Sequence, residues 1–139
     1  MAYCTVADLV AEFGEADIAA LTNRQNGPAT GIDAAVAAQK IEKAEAEINV
    51  YLEARYPLPL PSTPLILKQI TADVARYYLH TRIDEDHPAA QQYRQRIKLL
   101  ERIADGRASL GLDAASQVAP TVDTVQIAPG RNDFGGRNW

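Results

Sequence analysis

The fold of this chain is constrained most by a cluster of prolines at positions 57, 59, 61 and 64. The cluster separates two helical patterns, one ending near Arg55 and the other beginning near Pro64. Each proline fixes its own φ and disfavours helix at the residue before it. We therefore predict a stiff, extended elbow over residues 56–63, between two amphipathic helices. Such an elbow sets the angle between helices, and it is a poor frame for a catalytic centre.

Two short helices are predicted at the N-terminus. Thr5 is expected to cap the first, with Asp8 in the place of the capping-box acid. Apolar residues at helical spacing continue to Phe13, and Gly14 ends the helix. A second short helix is expected over residues 15–22.

Three longer helices are predicted to follow. Asp33 can cap the first of them, which runs to about Arg55. The next begins after the elbow, with Pro64 in its first helical position and Thr63 as its cap. The last ends at Gly106, because glycine favours the position just past a helix.

The chain divides in character at the end of this last helix. Residues 1–106 are predicted to form a mainly α domain, a small bundle of two short and three longer helices. Residues 107–139 are predicted to form an extended, glycine-rich C-terminal arm, with a β-branched run at 121–127. This arm contains Trp139, the only tryptophan of the chain, and cannot bury it within its own fold. We therefore expect the arm to dock on another subunit.

Composition and charge exclude several classes of protein. The net charge is −4, with an acidic surplus of five in residues 1–56, one net positive charge in 57–106 and a neutral remainder. This balance disfavours tight binding to nucleic acid, which usually requires a basic face. No apolar run approaches the roughly 18 residues that span a bilayer, so no membrane contact is expected. No signal peptide is apparent, and synthesis in the cytoplasm is expected.

The residues that most often carry chemistry do not form a known motif. His80 and His87 lack the spacing of metal ligands and are expected to be exposed turn residues. The acidic turn at 84–86 is expected to be solvated and to cap a helix, because it lacks the ligand pattern of a calcium loop. Cys4 lies beside a predicted helix N-terminus, which favours the thiolate, but no histidine accompanies it. We predict no enzyme activity, no cofactor and no metal site.

Two groups of residues are candidates for a partner interface. The first is an aromatic and arginine cluster close to the elbow, and the second lies in the C-terminal arm. Tyrosine, tryptophan and arginine are favoured at interface hot spots. For the elbow cluster the alternative is that its rings close the core of the domain while its arginines extend to the surface. The candidates are Tyr51, Arg55, Tyr56, Arg76 and Tyr77 in the first group, and Phe134, Arg137 and Trp139 in the second.

A basic stripe is predicted on the last helix, where Arg94, Lys98 and Arg102 follow one another at intervals of four residues. Residues at this spacing share one face of a helix. A solvated face is the common outcome, and contact with an acidic partner surface or with passing DNA is the alternative.

Several of these segments also match a known pattern. They are the opening A-Y-C-T-V-A-D-L-V-A-E-F-G, Ile48-x-x-Tyr51-Leu52-x-x-Arg55-Tyr56-x-Leu58-Pro59-Leu60, Pro64-Leu65, Asp73-Val74-Ala75-Arg76-Tyr77-x-Leu79 and Ile103-Ala104-Asp105-Gly106. In this combination, over roughly residues 1–112, the chain resembles the small proteins encoded in the head–tail gene cluster of Mu-like phages and prophages. By analogy with helical connectors of long-tailed phages, the resemblance implies an adaptor in the neck of the virion.

The resemblance also implies partners. An adaptor of this kind forms a ring, dodecameric by analogy, beneath the portal protein and links it to the next neck or tail component. Its C-terminal arm contacts the portal, and DNA passes through the lumen, where an acidic surplus prevents sticking.

The competing interpretation is a small DNA-binding regulator with a helix-turn-helix at its N-terminus. The second helix of that unit contains Glu15 and Asp17 and no Lys or Arg before Arg24, which argues against phosphate contact. A small phage enzyme is the third class, and no credible pair of carboxylates supports it.

Overall fold

The structure is a computed structural model that describes residues 2–23 and 31–112. These residues form five helices and no strand, which confirms the mainly α prediction. The helices are α1 (Val6–Phe13), α2 (Glu15–Thr22), α3 (Ala34–Leu52), α4 (Leu65–Leu79) and α5 (Pro88–Ala104).

Local capping signals determine most of the helix ends. The Thr5 side chain accepts from the Asp8 N–H while Asp8 accepts from the Thr5 N–H, so the predicted capping box is present. The Asp33 carboxylate accepts from two backbone N–H groups at the start of α3, as expected. Gly106 has a φ of 80° just past α5, and the chain reverses there through two N–H bonds back to the last turn.

The start of α4 differs from the prediction. Pro64 is the N-cap of α4 and not its first helical residue, with φ −61° and ψ 149°. No side chain caps this end, so the prediction of Thr63 as the cap was wrong. Because proline has no N–H of its own and a fixed φ, it can occupy the flanking position and leave the following residue to begin the helix.

α4 is the central element of the bundle. It packs against α3 and α5, which also contact each other, while α1 packs against α3 and α4, and α2 against α3. Eight of the residues of α4 are buried, among them the polar Thr71 and Asp73. The Thr71 hydroxyl donates to the Leu67 carbonyl, which satisfies it within the helix. The fold is thus a three-helix bundle, α3–α4–α5, with the α1–α2 pair added along α3 and α4.

The elbow between α3 and α4 is bent, and the prediction of an extended segment was wrong. Its backbone turns repeatedly between residues 53 and 62, and the Leu58–Pro59 peptide bond is cis. Tyr56 and Leu60 are both buried in the core. Prolines exclude helix but allow turns. The segment therefore bends in the way that buries both of its large side chains, since their burial is favourable.

From the sequence we expected no contact with a membrane, and the length and apolar character of the helices bear on that expectation. Across the part of the chain that the structure describes, no helix combines the length and the apolar character that crossing a bilayer requires.

Candidate partner interface

The elbow holds the chain segment that follows α5. The Arg55 Nη1 atom donates to the Ala108 carbonyl at 2.6 Å, and the Leu110 N–H donates to the Tyr56 hydroxyl at 3.2 Å. Leu110 and Leu112 are buried in the same core. We call this arrangement the elbow clamp. Residues 107–112, which the sequence assigned to the arm, therefore pack as part of the helical domain.

The elbow clamp decides between core and interface for two of the candidates. Tyr56 is only 5% exposed, so its ring belongs to the core and offers no surface to a partner. Arg55 is half-buried, with its guanidinium 5.4 Å from the centre of the Tyr56 ring. Both side chains are therefore engaged within the chain itself. The proposal of Tyr56 as an interface residue is replaced by a structural role.

Tyr51 lies half-buried at the edge of the core, on the face of α3 that turns toward α5. Burial raises the pKa of its phenol, and the negative charges of Glu47 and Glu101 raise it further. Its hydroxyl is therefore neutral at physiological pH.

Arg76 joins α4 to the N-terminal helices. Its guanidinium lies 4.6 Å from the centre of the Phe13 ring, and its Nη2 atom is 3.3 Å from an Asp17 carboxylate oxygen. A cation over an aromatic face is attracted by the ring, and the nearby carboxylate adds to that attraction. Arg76 thus holds the α1–α2 pair against the bundle.

A cluster of three tyrosines closes the seam between α3, α4 and α5, and we call it the tyrosine cluster. Tyr77 stacks on Tyr93 with ring centres 4.0 Å apart, and Tyr78 meets both rings edge-on. Tyr78 and Tyr93 both donate to the Glu47 carboxylate, Tyr93 at 2.8 Å. Lys43 lies over the Tyr78 ring at 4.4 Å. Tyr77 is therefore half-buried within a packed group, and Glu47 and Tyr93 are members that the sequence interpretation missed.

The environment of the tyrosine cluster changes its acid–base chemistry. Burial first, and the hydrogen bond to Glu47 second, raise the pKa of Tyr93 to about 12. The same two causes raise the pKa of Tyr78 well above its usual range. A carboxylate that accepts from a phenol favours the neutral phenol, so Glu47 serves here as the acceptor that satisfies two buried donors.

A buried ion pair joins α4 to α5. The Asp73 carboxylate accepts from the Arg96 Nε at 2.7 Å and from the Gln92 amide at 3.3 Å. The Asp73 side chain is 10% exposed. The cation of Arg96 is therefore used inside the bundle, unlike the neighbouring cations of the basic stripe.

The basic stripe lies on the outer face of α5. Arg94, Lys98 and Arg102 are all exposed, as are Glu101 and Asp105 on the same face. Arg94 donates to the Glu85 carbonyl at 2.5 Å, which leaves its charge without a carboxylate partner among the described residues.

The histidines differ from the expectation of exposed turn residues, which was wrong. Both are half-buried, and their rings meet with centres 4.9 Å apart. The His87 Nδ1 atom accepts from the Ala89 N–H and so caps α5, a role that the sequence assigned to the acidic turn. An imidazole nitrogen can replace the usual oxygen acceptor at a helix N-terminus because it too has a free lone pair.

Cys4 is buried, with 2% of its surface exposed. Burial, and next the charge of Asp8, raise the pKa of its thiol to about 12, so the expected stabilisation of the thiolate by the helix N-terminus does not prevail. No group of three or more His, Cys, Asp or Glu residues suited to a metal ion occurs within residues 2–23 and 31–112.

A cavity of about 640 Å³ lies between α2, α3 and the end of α4. Thr22, Lys40, Tyr78 and His80 are among its lining residues.

The predictions for the C-terminal segment lie outside the described residues. They concern the β-branched run at 121–127 and the candidates Phe134, Arg137 and Trp139.

The described residues define a small helical domain in which aromatic rings, arginines and buried carboxylates join the helices to one another. The chain belongs to the family described as "Bacteriophage Mu, Gp36", whose model matches residues 3–128. It is 34% identical to "Gene product J" of Escherichia phage Mu over 131 residues, which cover 91% of this chain and 89% of that protein. It is also 38% identical to "Mu-like prophage FluMu protein gp36" of Haemophilus influenzae over 84 residues, or 60% and 59% of the two chains. The predicted relation to Mu-like phages is thus confirmed.

Proposed function

We propose that this protein is a head–tail connector subunit of a phage particle. In this proposal it forms a ring beneath the portal protein, links the portal to the next neck or tail component and leaves a lumen for DNA. Its role is structural rather than enzymatic, and its place is the neck of the virion.

The observation that carries the proposal is the elbow clamp. Arg55 and Tyr56 hold residues 108 and 110 against the elbow, and Leu112 is buried next to them. The chain is therefore packed on the bundle as far as residue 112. A connector requires this combination, because the bundle must keep its place in a ring while a terminal segment contacts the protein above.

Family membership supports the same proposal. The match to the Mu family covers residues 3–128, and so it extends from the bundle into the C-terminal segment. The bundle and the segment after it thus belong to one family pattern. A connector uses both, the bundle for the ring and the segment for the portal.

The regulator hypothesis has no structural observation in its favour. The first turn of α2 carries Glu15 and Asp17, and α2 contains no Lys or Arg. A recognition helix needs donors for phosphate and base edges, which these acids do not provide.

A pair of truncations tests the proposal. Removing residues 113–139 leaves the elbow clamp intact, so the shortened protein should stay folded and helical by circular dichroism. It should nevertheless lose capture by the immobilised portal protein, because the portal contact is assigned to the removed segment. Undiminished capture by the portal would refute that assignment.

The matched control removes residues 107–139. This change also takes away Leu110 and Leu112 and the partners of Arg55 and Tyr56. Its melting temperature should fall well below that of the protein that ends at residue 112, since buried leucines and two hydrogen bonds are lost. Full-length protein that retains duplex DNA on a filter but does not bind the portal would favour the regulator instead.

A further inference from the structure

The basic stripe of α5 has no counterpart within its own bundle. Lys98 and Arg102 are exposed, and neither makes an ion pair with any residue that the structure describes. Four of the six exposed cations in residues 2–23 and 31–112 lie on α5 or directly after it: Arg94, Lys98, Arg102 and Arg107. Among the described residues, exposed positive charge is therefore concentrated on α5 and directly after it, in a chain whose net charge is −4.

A surface of the opposite character lies between α1 and α4. A shallow groove of about 170 Å³ is lined there by Ala11, Glu12, Leu65 and Ala72, among others. Leu65 is 69% exposed, a large apolar side chain left open to water beside this groove. Asp8 and Lys68 within the groove neutralise each other through an ion pair of 2.7 Å. We call this surface the α1–α4 groove.

A carboxylate without an ion-pair partner among the described residues lies at the α1–α4 groove. Glu12 of α1 lines the groove and is exposed to solvent. Asp8, one turn earlier on the same helix, also lines the groove and is paired with Lys68. The groove therefore combines an exposed leucine with an exposed negative charge.

We infer that the outer face of α5 in one copy of this chain docks in the α1–α4 groove of the next copy. The basic stripe then faces Glu12. The aliphatic stems of Lys98 and Arg102 cover Leu65, which a long cationic side chain can do while its head remains at the carboxylates. This inference rests on the proposed function, because it describes the contact that builds the ring.

The position of the two surfaces suits a ring. α4 uses Asp73 and Tyr77 to contact α5, and Leu65 and Ala72 to border the groove, so the two surfaces belong to different sides of α4. An interface between two different patches is heterologous, and it repeats from copy to copy until rotation closes the assembly. A symmetric dimer would instead pair one patch with itself.

The composition of the α5 face favours a protein partner over nucleic acid. Glu101 and Asp105 are exposed between and beside the cations. Carboxylates on the same face repel phosphates, whereas they can pair with groups such as Lys68 of a neighbouring copy. The mixed signs thus match the α1–α4 groove, which itself holds both signs.

Charge reversal of the full-length chain tests the inference. The first variant is Lys98→Glu, the second Glu12→Lys, and the third combines both changes and restores the wild-type net charge. Molar mass is measured by light scattering at low salt, for each protein alone and mixed with the portal protein. Each single variant should weaken self-association about 10-fold or more, because like charges then face each other. The combined variant should assemble again.

The control is Arg82→Glu, which changes the net charge as much as the first variant does. Arg82 is exposed and lies outside α5 and the α1–α4 groove. This control should assemble as wild type does, and circular dichroism confirms that each variant is folded. Zero-length carbodiimide coupling of mixed isotope-labelled and unlabelled chains should join Lys98 of one copy to Glu12 of another.

The outcomes separate this inference from the connector function. A portal complex of unchanged size after reversal on α5 would overturn the docking of α5 and leave the connector function standing. Assembly that responds to reversal and rescue, in a protein that does not bind the portal, would overturn the connector function and keep the interface. A chain that stays monomeric both alone and with the portal would overturn the inference.

Discussion

The elbow and the outer face of α5 both carry cationic side chains and use them in different ways. At the elbow, Arg55 and Tyr56 bind the backbone of residues 108 and 110, and the tyrosine ring is buried. On α5, Lys98 and Arg102 stay in water. Hot-spot composition alone pointed to the elbow as the interface. The difference teaches that arginine and tyrosine next to a chain turn often serve the turn, while the available surface lies elsewhere.

The largest effect is expected at the elbow. Tyr56→Ala should lower the free energy of unfolding by about 3–5 kcal/mol, because a fully packed ring and its hydrogen bond are lost. Tyr56→Phe keeps the ring and should lower it by about 1 kcal/mol. Urea unfolding followed by circular dichroism measures both. If the Tyr56→Ala protein were as stable as wild type, Tyr56 would contribute no more to the stability of the fold than an exposed residue of α5 does, and the comparison would fail.

An intermediate effect is expected on the inner face of α5, at the tyrosine cluster. Tyr93 has a pKa of about 12 in the folded protein against about 10 in the unfolded chain, so the unfolded state loses its proton first as the pH rises. The stabilisation is therefore complete below pH 10 and is lost progressively as the pH rises from there to about 12. Thermal melting across this range should show the loss, and Tyr93→Phe should reduce its slope. If the loss of stability with rising pH were unchanged in Tyr93→Phe, the assignment of that loss to Tyr93 would be contradicted.

The smallest effect is expected on the outer face of the same helix. Lys98→Ala/Arg102→Ala should change the free energy of unfolding by no more than about 0.5 kcal/mol, since neither side chain has a partner among the described residues. Urea unfolding at neutral pH measures it against wild type. A loss of 2 kcal/mol or more, on the order of a buried contact, would show that these cations serve the fold and not a docking surface.

The sequence predicted those features that depend on neighbours along the chain. The capping box of Thr5 and Asp8, the cap at Asp33 and the glycine after α5 are all local hydrogen-bond patterns. The helices themselves follow from apolar spacing, because each buries one face.

Features that depend on distant parts of the chain escaped prediction. The two hydrogen bonds of the elbow clamp join residues that are separated by 53 and by 54 positions along the chain. The hydrogen bond between Glu47 and Tyr93 spans 46 positions. No periodic pattern in the sequence indicates either of these contacts. For the same reason the sequence treated residues 107–112 as the beginning of the arm, although Leu110 and Leu112 complete the core.

The burial of Cys4 has a practical consequence for the study of motion. It is the only cysteine, its thiol is buried, and its high pKa keeps it protonated. An alkylating reagent can react with it only when the N-terminal segment lifts from the bundle. The rate of labelling therefore measures how often the N-terminal end of the molecule opens locally. Comparing the labelling rate before and after assembly would report how firmly a neighbouring copy holds α1 in place.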